Sequence, residues 1–187
     1  MSLTPGKLRR AASHLRHGGI AAYPTEAIYG LGCDPWNPDA VYSLLELKQR
    51  PVTKGLILIA STFEQLLPFI ILPPQPVLER ILASWPGPVT WVLPVSPSVP
   101  LWLRGEHQTI AARVTAHPIA SALCNAFDGA LVSTSANPAG RRPARTSIHV
   151  RRYFRHANEL FIIHGRVGKL ARPTPIYDAL SGRCLRQ

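Results

Sequence analysis

The sequence has few cysteines and no long apolar run. Its three cysteines, Cys33, Cys124 and Cys184, stand far apart with no Cys-x-x-Cys pair, so neither a disulfide framework nor a structural zinc site is supported. No apolar stretch approaches the roughly 20 residues of a membrane-spanning helix, and the N-terminus lacks a signal-peptide pattern. These absences predict a soluble, cytoplasmic protein that does not bind a membrane.

The usual signatures of nucleotide and hydrolase sites are missing as well. The chain contains no G-x-x-x-x-G-K-[ST] and no G-x-G-x-x-G, so any ATP must be held in another way. It also contains no G-x-S-x-G elbow and no H-E-x-x-H motif, which argues against a serine hydrolase and a zinc protease. No pair of carboxylates presents itself as a dedicated metal site. The chemistry must therefore come from other residues.

Basic charge is what the sequence has in excess. The 187 residues include 21 Lys and Arg against 10 Asp and Glu, a net charge of +11, which indicates a polyanionic partner such as nucleic acid or nucleotide phosphates. Residues 141–187 hold 11 basic and 2 acidic side chains, whereas residues 1–140 hold 10 and 8. The last quarter is therefore the expected polyanion-binding surface, and a simple role in solubility is the alternative.

Length and patterning predict the fold class. With 46% hydrophobic residues the chain can bury a core, and we expect one domain over residues 1–187. Helix starts are predicted at Thr4, Asn37, Ser61, His117 and Ser147, and strands over residues 20–23, 55–60, 89–95, 109–114, 131–133, 160–163 and 176–180. The proline-rich residues 68–100 are expected to wrap one edge. This alternation predicts an α/β layered fold with a sheet covered on both faces.

Two segments place polar residues where a predicted element ends. Residues 24–32, PTEAIYGLG, follow a strand; their glycines permit close approach of the backbone to a ligand, and a tight glycine turn is the alternative. Residues 48–55, KQRPVTKG, gather Lys48, Arg50 and Lys54 between a helix C-terminus and a buried strand. Three converging cations suit a triphosphate, although cations at a helix C-terminus also compensate its dipole.

Two further segments carry candidate binding groups. Arg113 interrupts the apolar strand IAARV, so it must either reach solvent or pair with a carboxylate, and a ligand carboxylate would serve. Residues 133–140, STSANPAG, place three hydroxyls and an amide at a strand end. This set suits phosphate or ribose oxygens, and taken alone it also suits an ordinary Asx or ST turn.

Together the four segments resemble the YrdC-type L-threonylcarbamoyladenylate synthases. The resemblance extends through SWPGPVTWVLP to the terminal YDALSGRCLRQ and so covers the whole chain. It implies a single-domain YrdC-like fold, a twisted mixed β-sheet flanked by helices. It also implies a nucleotidyltransferase that converts L-threonine, bicarbonate or CO2, and ATP into threonylcarbamoyl-AMP and pyrophosphate. That product serves the threonylcarbamoyladenosine modification of tRNA through a downstream threonylcarbamoyl transferase complex, and a monomer is expected.

The resemblance also implies roles for the matching residues. Lys48, Arg50 and Lys54 match the family's basic signature and are expected to be catalytic by clamping the triphosphate and the leaving pyrophosphate. The residues expected on the threonine side are Thr25, Tyr29, Arg113, Ser133 and Thr174, with Arg113 on the carboxylate. Those expected on the ATP side are Arg50, Lys54, Ser135, Asn137 and Arg186. Mg²⁺ is expected to accompany ATP on its phosphates, without a dedicated protein site.

Four positions depart from the pattern of the family it resembles. Pro51 and Gly55 replace the Ser/Thr and Pro that are common within the basic signature. Ile59 stands where many members have His, and Ala139 replaces the second Ser of S-A-N-x-S-G. Because the cations themselves are retained, these departures bear on substrate contacts more than on the reaction.

The basic C-terminal quarter gives a separate hypothesis. Its arginines are expected to form an RNA-binding surface, and they are Arg141, Arg142, Arg145, Arg151, Arg152 and Arg155. Binding of this kind is independent of sequence and weakened by salt. The rival function is accordingly a non-catalytic module that binds double-stranded RNA or tRNA. An enzyme of the same fold with another reaction would need an acidic metal-binding cluster, which the sequence lacks.

Overall fold

One mixed sheet of nine strands forms the framework of the computed structural model, which describes residues 4–187. The strands are β1 (Ala21–Pro24), β2 (Tyr29–Gly32), β3 (Ile57–Ala60), β4 (Thr90–Pro94), β5 (Thr109–Val114), β6 (Leu131–Ser135), β7 (Phe161–Ile162), β8 (Ile176–Asp178) and β9 (Cys184–Arg186). The α-helices are α1 (Pro5–Arg16), α2 (Pro38–Lys48), α3 (Gln75–Ser84), α4 (Leu101–Arg104), α5 (Pro118–Phe127) and α6 (Ser147–Tyr153). In this part of the chain, no helix is long and apolar enough to cross a membrane.

The strand order brings distant parts of the sequence together. Across the sheet it is β7-β1-β2-β6-β3-β5-β4-β8-β9. Three neighbouring pairs, β7 with β1, β3 with β5 and β4 with β8, are parallel, and the other pairs are antiparallel. Of the central strands, β6 contains the start of the STSAN segment, β3 follows the basic segment, and β5 contains Arg113. The mixed sheet of the predicted fold is confirmed, and its centre collects three of the four candidate segments.

Local signals start the first two helices where the sequence predicts. The side chain of Thr4 accepts a hydrogen bond from the backbone N–H of Lys7 at 3.4 Å, and Asn37 Oδ1 accepts one from Ala40 at 3.0 Å. A proline follows each cap, where its missing N–H costs no helical hydrogen bond. α2 ends at Lys48 because Gln49 adopts a left-handed backbone conformation with φ 53°, which directs the following residues out of the helix.

Alternating side chains divide the core between the two faces of the sheet. Tyr23, Ile59 and Leu131 contact the cluster formed with α1 and α5, while their neighbours along the strands contact the cluster formed with α2, α3, α4 and α6. Helices therefore lie on both faces of the sheet, as predicted. Ile57 lies on the same face as Ile59, two residues along β3, yet it lines a cavity. Helices cover only part of one face, and the rest of it is open to ligands.

Residues 29–32 form the strand β2, whereas the glycine-turn alternative would have made them a turn. β2 lies between β1 and β6. A Cβ at Gly32 would lie 2.3 Å from the backbone oxygen of Val132 and 2.7 Å from the hydroxyl of Tyr23. Glycine is needed here because neighbouring groups approach the strand closely, which is a requirement that the sequence pattern shares with a turn.

The proline-rich segment contains a helix that the sequence analysis missed. α3 begins after Pro74 and carries Pro76 in its first turn, where proline is tolerated because the first N–H groups of a helix have no internal acceptor. The expected helix after Ser61 is a 3-10 helix over Glu64–Phe69. There the cap contact comes from Gln65, whose Oε1 accepts from the backbone N–H of Ser61 at 2.9 Å.

Candidate active site

The uncovered part of the sheet face contains a cavity of about 210 Å³, which we call the first cavity. It lies where β2, β6, β3 and β5 meet the segment that precedes β8. Seven residues predicted from the sequence line it, and they are Thr25, Arg50, Arg113, Ser133, Ser135, Thr174 and Arg186. The fold thus brings together residues that are up to 161 positions apart.

Arg113 is held at the inner wall of the first cavity by a buried polar network. Its Nη1 donates to the hydroxyls of Thr174 at 2.5 Å and Thr90 at 3.3 Å. Its Nη2 lies 3.4 Å from Glu26 Oε2, and Thr115 donates to the other Glu26 oxygen at 2.6 Å. Glu26 therefore supplies inside the protein the carboxylate that Arg113 requires, and sequence reasoning missed it. The buried Nε of Arg113 has no protein partner.

Two further guanidinium groups face the first cavity. Arg50 donates to the backbone oxygen of Gly55 at 2.9 Å, and its Nε is buried without a partner. Arg186 donates to the backbone oxygen of Thr174 at 3.0 Å. Burial lowers the pKa of both groups, and the charges of Arg113 and Arg50 lower the pKa of Arg186 further. Because these guanidinium charges repel one another, an anion bound in the cavity would be stabilised by all of them.

A second cavity of about 340 Å³ adjoins the first. Arg50, Leu56, Ile57 and Arg186 line both of them, and Lys54 lines the second cavity alone. The predicted phosphate-binding cations therefore lie at the boundary of the two cavities and within the second. A ligand with a polar head and a phosphate tail can extend from one into the other.

Lys48 does not line either cavity. Its ammonium is buried and donates to the backbone oxygens of Ser135 and, at 2.8 Å, Asn137. Burial, together with the charge of Arg50, lowers the pKa of Lys48 to about 8. The helix end aims this side chain at the STSAN loop, and the expected contact of Lys48 with a triphosphate stays a prediction. Arg50, two residues later, leaves the helix and reaches the cavity.

The STSAN loop presents its residues unequally. Ser133 and Ser135 line the first cavity. Asn137 lies outside the lining of both cavities, and its amide nitrogen donates to the backbone oxygens of Arg141 at 2.7 Å and Pro138 at 3.0 Å. The buried Oδ1 of Asn137 has no protein partner. A contact between this oxygen and a nucleotide stays a prediction.

Tyr29, expected on the threonine side, does not line either cavity, and its contact with threonine stays a prediction. Its ring is fully buried, and its hydroxyl donates to the backbone oxygen of Gly165 at 2.7 Å and accepts from Gly165 N–H at 3.0 Å. Burial raises the pKa of Tyr29. The hydroxyl fixes the start of the irregular segment 165–174, which ends at Thr174 in the first cavity. That segment is also fixed by a hydrogen bond from Gly168 N–H to the backbone oxygen of Thr25 at 2.9 Å.

The four departures from the family pattern have different surroundings. Ile59 is fully buried in the cluster with α5. Ala139 donates its N–H to the backbone oxygen of Lys48 at 3.2 Å, and Pro51 precedes the 3-10 turn over Val52–Lys54. Only Gly55 lines one of the two cavities, where it has φ +59°.

The predicted RNA-binding arginines lie outside both cavities. All six are exposed, namely Arg141, Arg142, Arg145, Arg151, Arg152 and Arg155. Arg145 also donates to the backbone oxygens of Ala171 at 3.1 Å and Leu170 at 3.3 Å, so it supports the segment that borders the first cavity.

Metal ligands are scarce around the cavities. Within residues 4–187, no group of three or more His, Cys, Asp and Glu side chains is placed to hold a metal ion. No carboxylate lines the first or the second cavity. A metal that enters with a substrate would therefore depend on the substrate's own oxygens.

The fold and the paired cavities define an α/β domain with hydroxyls and guanidinium groups on the cavity walls. A family model named for Sua5, YciO and YrdC, and described as Telomere recombination, matches residues 13–187. The chain belongs to this family.

Named relatives make the assignment finer. The chain is 57% identical to the threonylcarbamoyl-AMP synthase of Halorhodospira halophila over 98% of its length and 95% of the relative's. It is 53% identical to the synthase of that name from Methylococcus capsulatus, over 96% of both chains. An enzyme of this type, a transferase, is thus favoured over a non-catalytic RNA-binding module.

A solved structure has the same architecture. The complex of P. abyssi Sua5 with L-threonine matches 95% of this chain with a TM-score of 0.88 and 32% identity. The chain spans about half the length of that protein, 52%. The likeness supports the mixed sheet flanked by helices.

Proposed function

We propose that this chain makes threonylcarbamoyl-AMP and pyrophosphate from L-threonine, bicarbonate or CO2, and ATP, in the two adjoining cavities. The observation that best supports the proposal is that the two cavities share a boundary and differ in the residues that line them. Hydroxyls and a fixed arginine line one side, and phosphate-binding cations line the other. The reaction needs this arrangement because the amino acid and the triphosphate must meet at the α-phosphorus.

L-Threonine is assigned to the first cavity. Arg113 lines this cavity and is assigned to the threonine carboxylate, and the Glu26 pair together with Thr174 fixes the plane of its guanidinium. Thr25 and Ser133 add hydroxyls on the same cavity wall. Support also comes from the related P. abyssi Sua5, which was crystallised with L-threonine. Bicarbonate is assigned to the space next to the threonine amine.

ATP is assigned to the boundary and the second cavity. Arg50, Lys54 and Arg186 hold the phosphates, with Ser135 as a hydroxyl partner at the cavity wall. Asn137 Oδ1 is proposed to accept from the nucleotide. Lys48 acts through the STSAN loop by holding the backbone oxygens of Ser135 and Asn137, so it is a positioning residue.

The chemistry follows from positioning and charge. The threonine amine bonds to the carbon of CO2 and gives up a proton to form a carbamate; with bicarbonate, the bond from that carbon to one oxygen breaks and water leaves. A carbamate oxygen then bonds to the α-phosphorus as the bond to the leaving pyrophosphate breaks. Neither step requires a covalent enzyme nucleophile, so alignment of the reactants and neutralisation of phosphate charge provide the acceleration. Mg²⁺ is proposed to enter as part of the ATP substrate, held by phosphate oxygens.

The remaining partners complete the proposal. The product passes to a threonylcarbamoyl transferase complex that modifies tRNA, and the six exposed arginines are proposed to bind tRNA by its phosphates. We also propose that residues 1–187 act as one YrdC-like domain, in the cytoplasm and as a monomer. One sheet that includes strands from Ala21 to Arg186 supports the single domain.

The experiment that tests the function is release of pyrophosphate from ATP. Purified protein is assayed with all substrates and with threonine or bicarbonate omitted. We expect release only when both are present, together with formation of threonylcarbamoyl-AMP. Equal release without either substrate would contradict the proposal.

A further inference from the structure

The second cavity contains polar side chains that the roles above do not use. Arg104 and His107 line it together with Lys54, and Arg50 and Arg186 lie at its boundary with the first cavity. Its floor consists of apolar side chains from β3, β4, β5 and β8, and none of the residues that line it is acidic. Positive charge is therefore concentrated here without a carboxylate to balance it.

Two glycines bring these cations together. Gly55 has φ +59°, and a Cβ there would lie 2.8 Å from the backbone oxygen of Arg104. Gly105 has φ +63°, and a Cβ there would lie 2.3 Å from the backbone oxygen of Thr53. The loops that carry Lys54 and Arg104 thus pack backbone against backbone, which only glycine allows.

The departure at position 55 acquires a reason from this packing. Proline, whose φ is fixed near about −65°, could not adopt the conformation of Gly55. With Gly55 in place, Leu56 N–H donates to the backbone oxygen of Leu103 at 2.8 Å, directly before Arg104. Gly55 and the extra cation Arg104 are therefore parts of one local structure.

The side chains are suited to a compact polyanion. Arg104 donates from Nη1 to the backbone oxygen of His107 at 3.0 Å, which orients its guanidinium beside the cavity. Arg pairs with phosphate through two parallel hydrogen bonds, and Lys adds a point charge. A single carboxylate would leave most of this charge unneutralised, whereas a pyrophosphate group has several negative oxygens within a few bonds.

We propose that the second cavity binds a pyrophosphate group through Arg104 and His107 in addition to Lys54. The group is either the β,γ end of ATP before transfer or the pyrophosphate released afterwards. This inference rests on the proposed function, since it extends the phosphate side of the same site to two residues outside the basic signature.

Direct binding of inorganic pyrophosphate tests the proposal. The full chain, Arg104→Gln and Arg10→Gln are compared by titration calorimetry. Arg10 is exposed on α1 and lies outside both cavities, so its variant controls for the loss of one positive charge. We expect Arg104→Gln to weaken binding about tenfold, the loss of one charge-assisted contact. Arg104→Lys should recover part of it, and Arg10→Gln should bind as the unaltered chain does.

Kinetics separate the two sources of the group. If the ATP tail occupies the cavity, Arg104→Gln raises KM for ATP as much as it weakens pyrophosphate binding. If only the released product does, product inhibition by pyrophosphate weakens while KM for ATP is unchanged. Either result supports the site, and equal pyrophosphate binding by Arg104→Gln and Arg10→Gln overturns it. Calorimetric binding needs no turnover, so failure of the reaction assignment is seen separately, in the substrate-omission assay.

Discussion

Two groups of arginines in this chain have opposite surroundings. Arg50, Arg113 and Arg186 line a cavity, close enough for their charges to act on one another, and burial lowers the pKa of Arg50 and Arg186. The arginines between residues 141 and 155 are exposed. Exposed charges are screened by water and salt, whereas partly buried ones interact strongly with a ligand. The surroundings of a charge, more than the number of charges in a segment, are therefore our reason for assigning the proposed site to the cavity.

The largest difference in turnover is expected between the variants Arg50→Ala and Arg152→Ala. Removing Arg50 takes a partly buried cation from the boundary of the cavities, where it would offset charge that develops on the leaving pyrophosphate. Loss of one such electrostatic contact costs about 100-fold in turnover. Pyrophosphate release, measured with all substrates present, should fall by that factor in Arg50→Ala while circular dichroism shows an intact fold. Comparable activity of the two variants would remove the distinction between the groups.

Glu26 extends the comparison to a charge pair inside the protein. In Glu26→Gln, Arg113 keeps a polar neighbour but loses the opposite charge that fixes it at 3.4 Å. We expect KM for threonine to rise about tenfold, with KM for ATP nearly unchanged, because a positioned charge is worth roughly 1.4 kcal/mol or more. Glu159→Gln, at an exposed carboxylate, is the matched control. An equal rise in both KM values would argue for a general loss of structure instead.

The sequence could predict the ingredients of the cleft better than their arrangement. Thr25, Arg113 and Ser133 stand at or near strand ends, and pairing of the central strands brings them together. Lys48 and Tyr29 share the same motifs but point into the protein, because backbone conformation at Gln49 and packing against Gly165 decide their directions. A sequence motif predicts which residue types stand near a strand end. Which side chain reaches a cavity depends on contacts between distant segments.

Glu26 shows what a pattern could still have yielded. A lone carboxylate in the PTEA segment and a lone arginine in an apolar strand each require a partner. Their pairing was available from charge reasoning once both segments were assigned to one cleft. The second cavity could not be predicted from the sequence, since its shape depends on the positive φ of Gly55 and Gly105.

Lys48 is a buried cation that serves the loop, so its variants should have intermediate effects. Lys48→Met should raise KM for ATP several-fold by releasing the STSAN loop, a loss of about 1 kcal/mol. Lys48→Arg, which keeps donors and charge, should recover part of the activity. Lys169→Met, at an exposed lysine, should behave as the unaltered chain.

Stability at alkaline pH gives a second measurement on Lys48. Its pKa in the folded chain is about 8, below the ordinary 10.5, so between these values the unfolded chain binds more protons. The free energy of unfolding contributed by Lys48 therefore rises with pH across that window. Urea unfolding at pH 7.5 and 9.5, two values chosen to bracket a pKa of about 8, should show this rise relative to Lys48→Arg, whose side chain stays charged. Parallel pH profiles of the two proteins would contradict the inferred burial of the charge.

The smallest effect on the reaction is expected from the exposed arginines. A combined change of Arg151, Arg152 and Arg155 to Ala leaves both cavities intact, so pyrophosphate release should stay within about twofold of the unaltered chain. If these arginines contact duplex RNA phosphates, each contact contributes about 0.9 to the slope of log affinity against log salt concentration. The triple variant should then bind tRNA more weakly and lose about 2 to 3 from that slope. Unchanged tRNA affinity and slope would assign this surface to solubility, leaving the cavity arginines as the only functional group of the two.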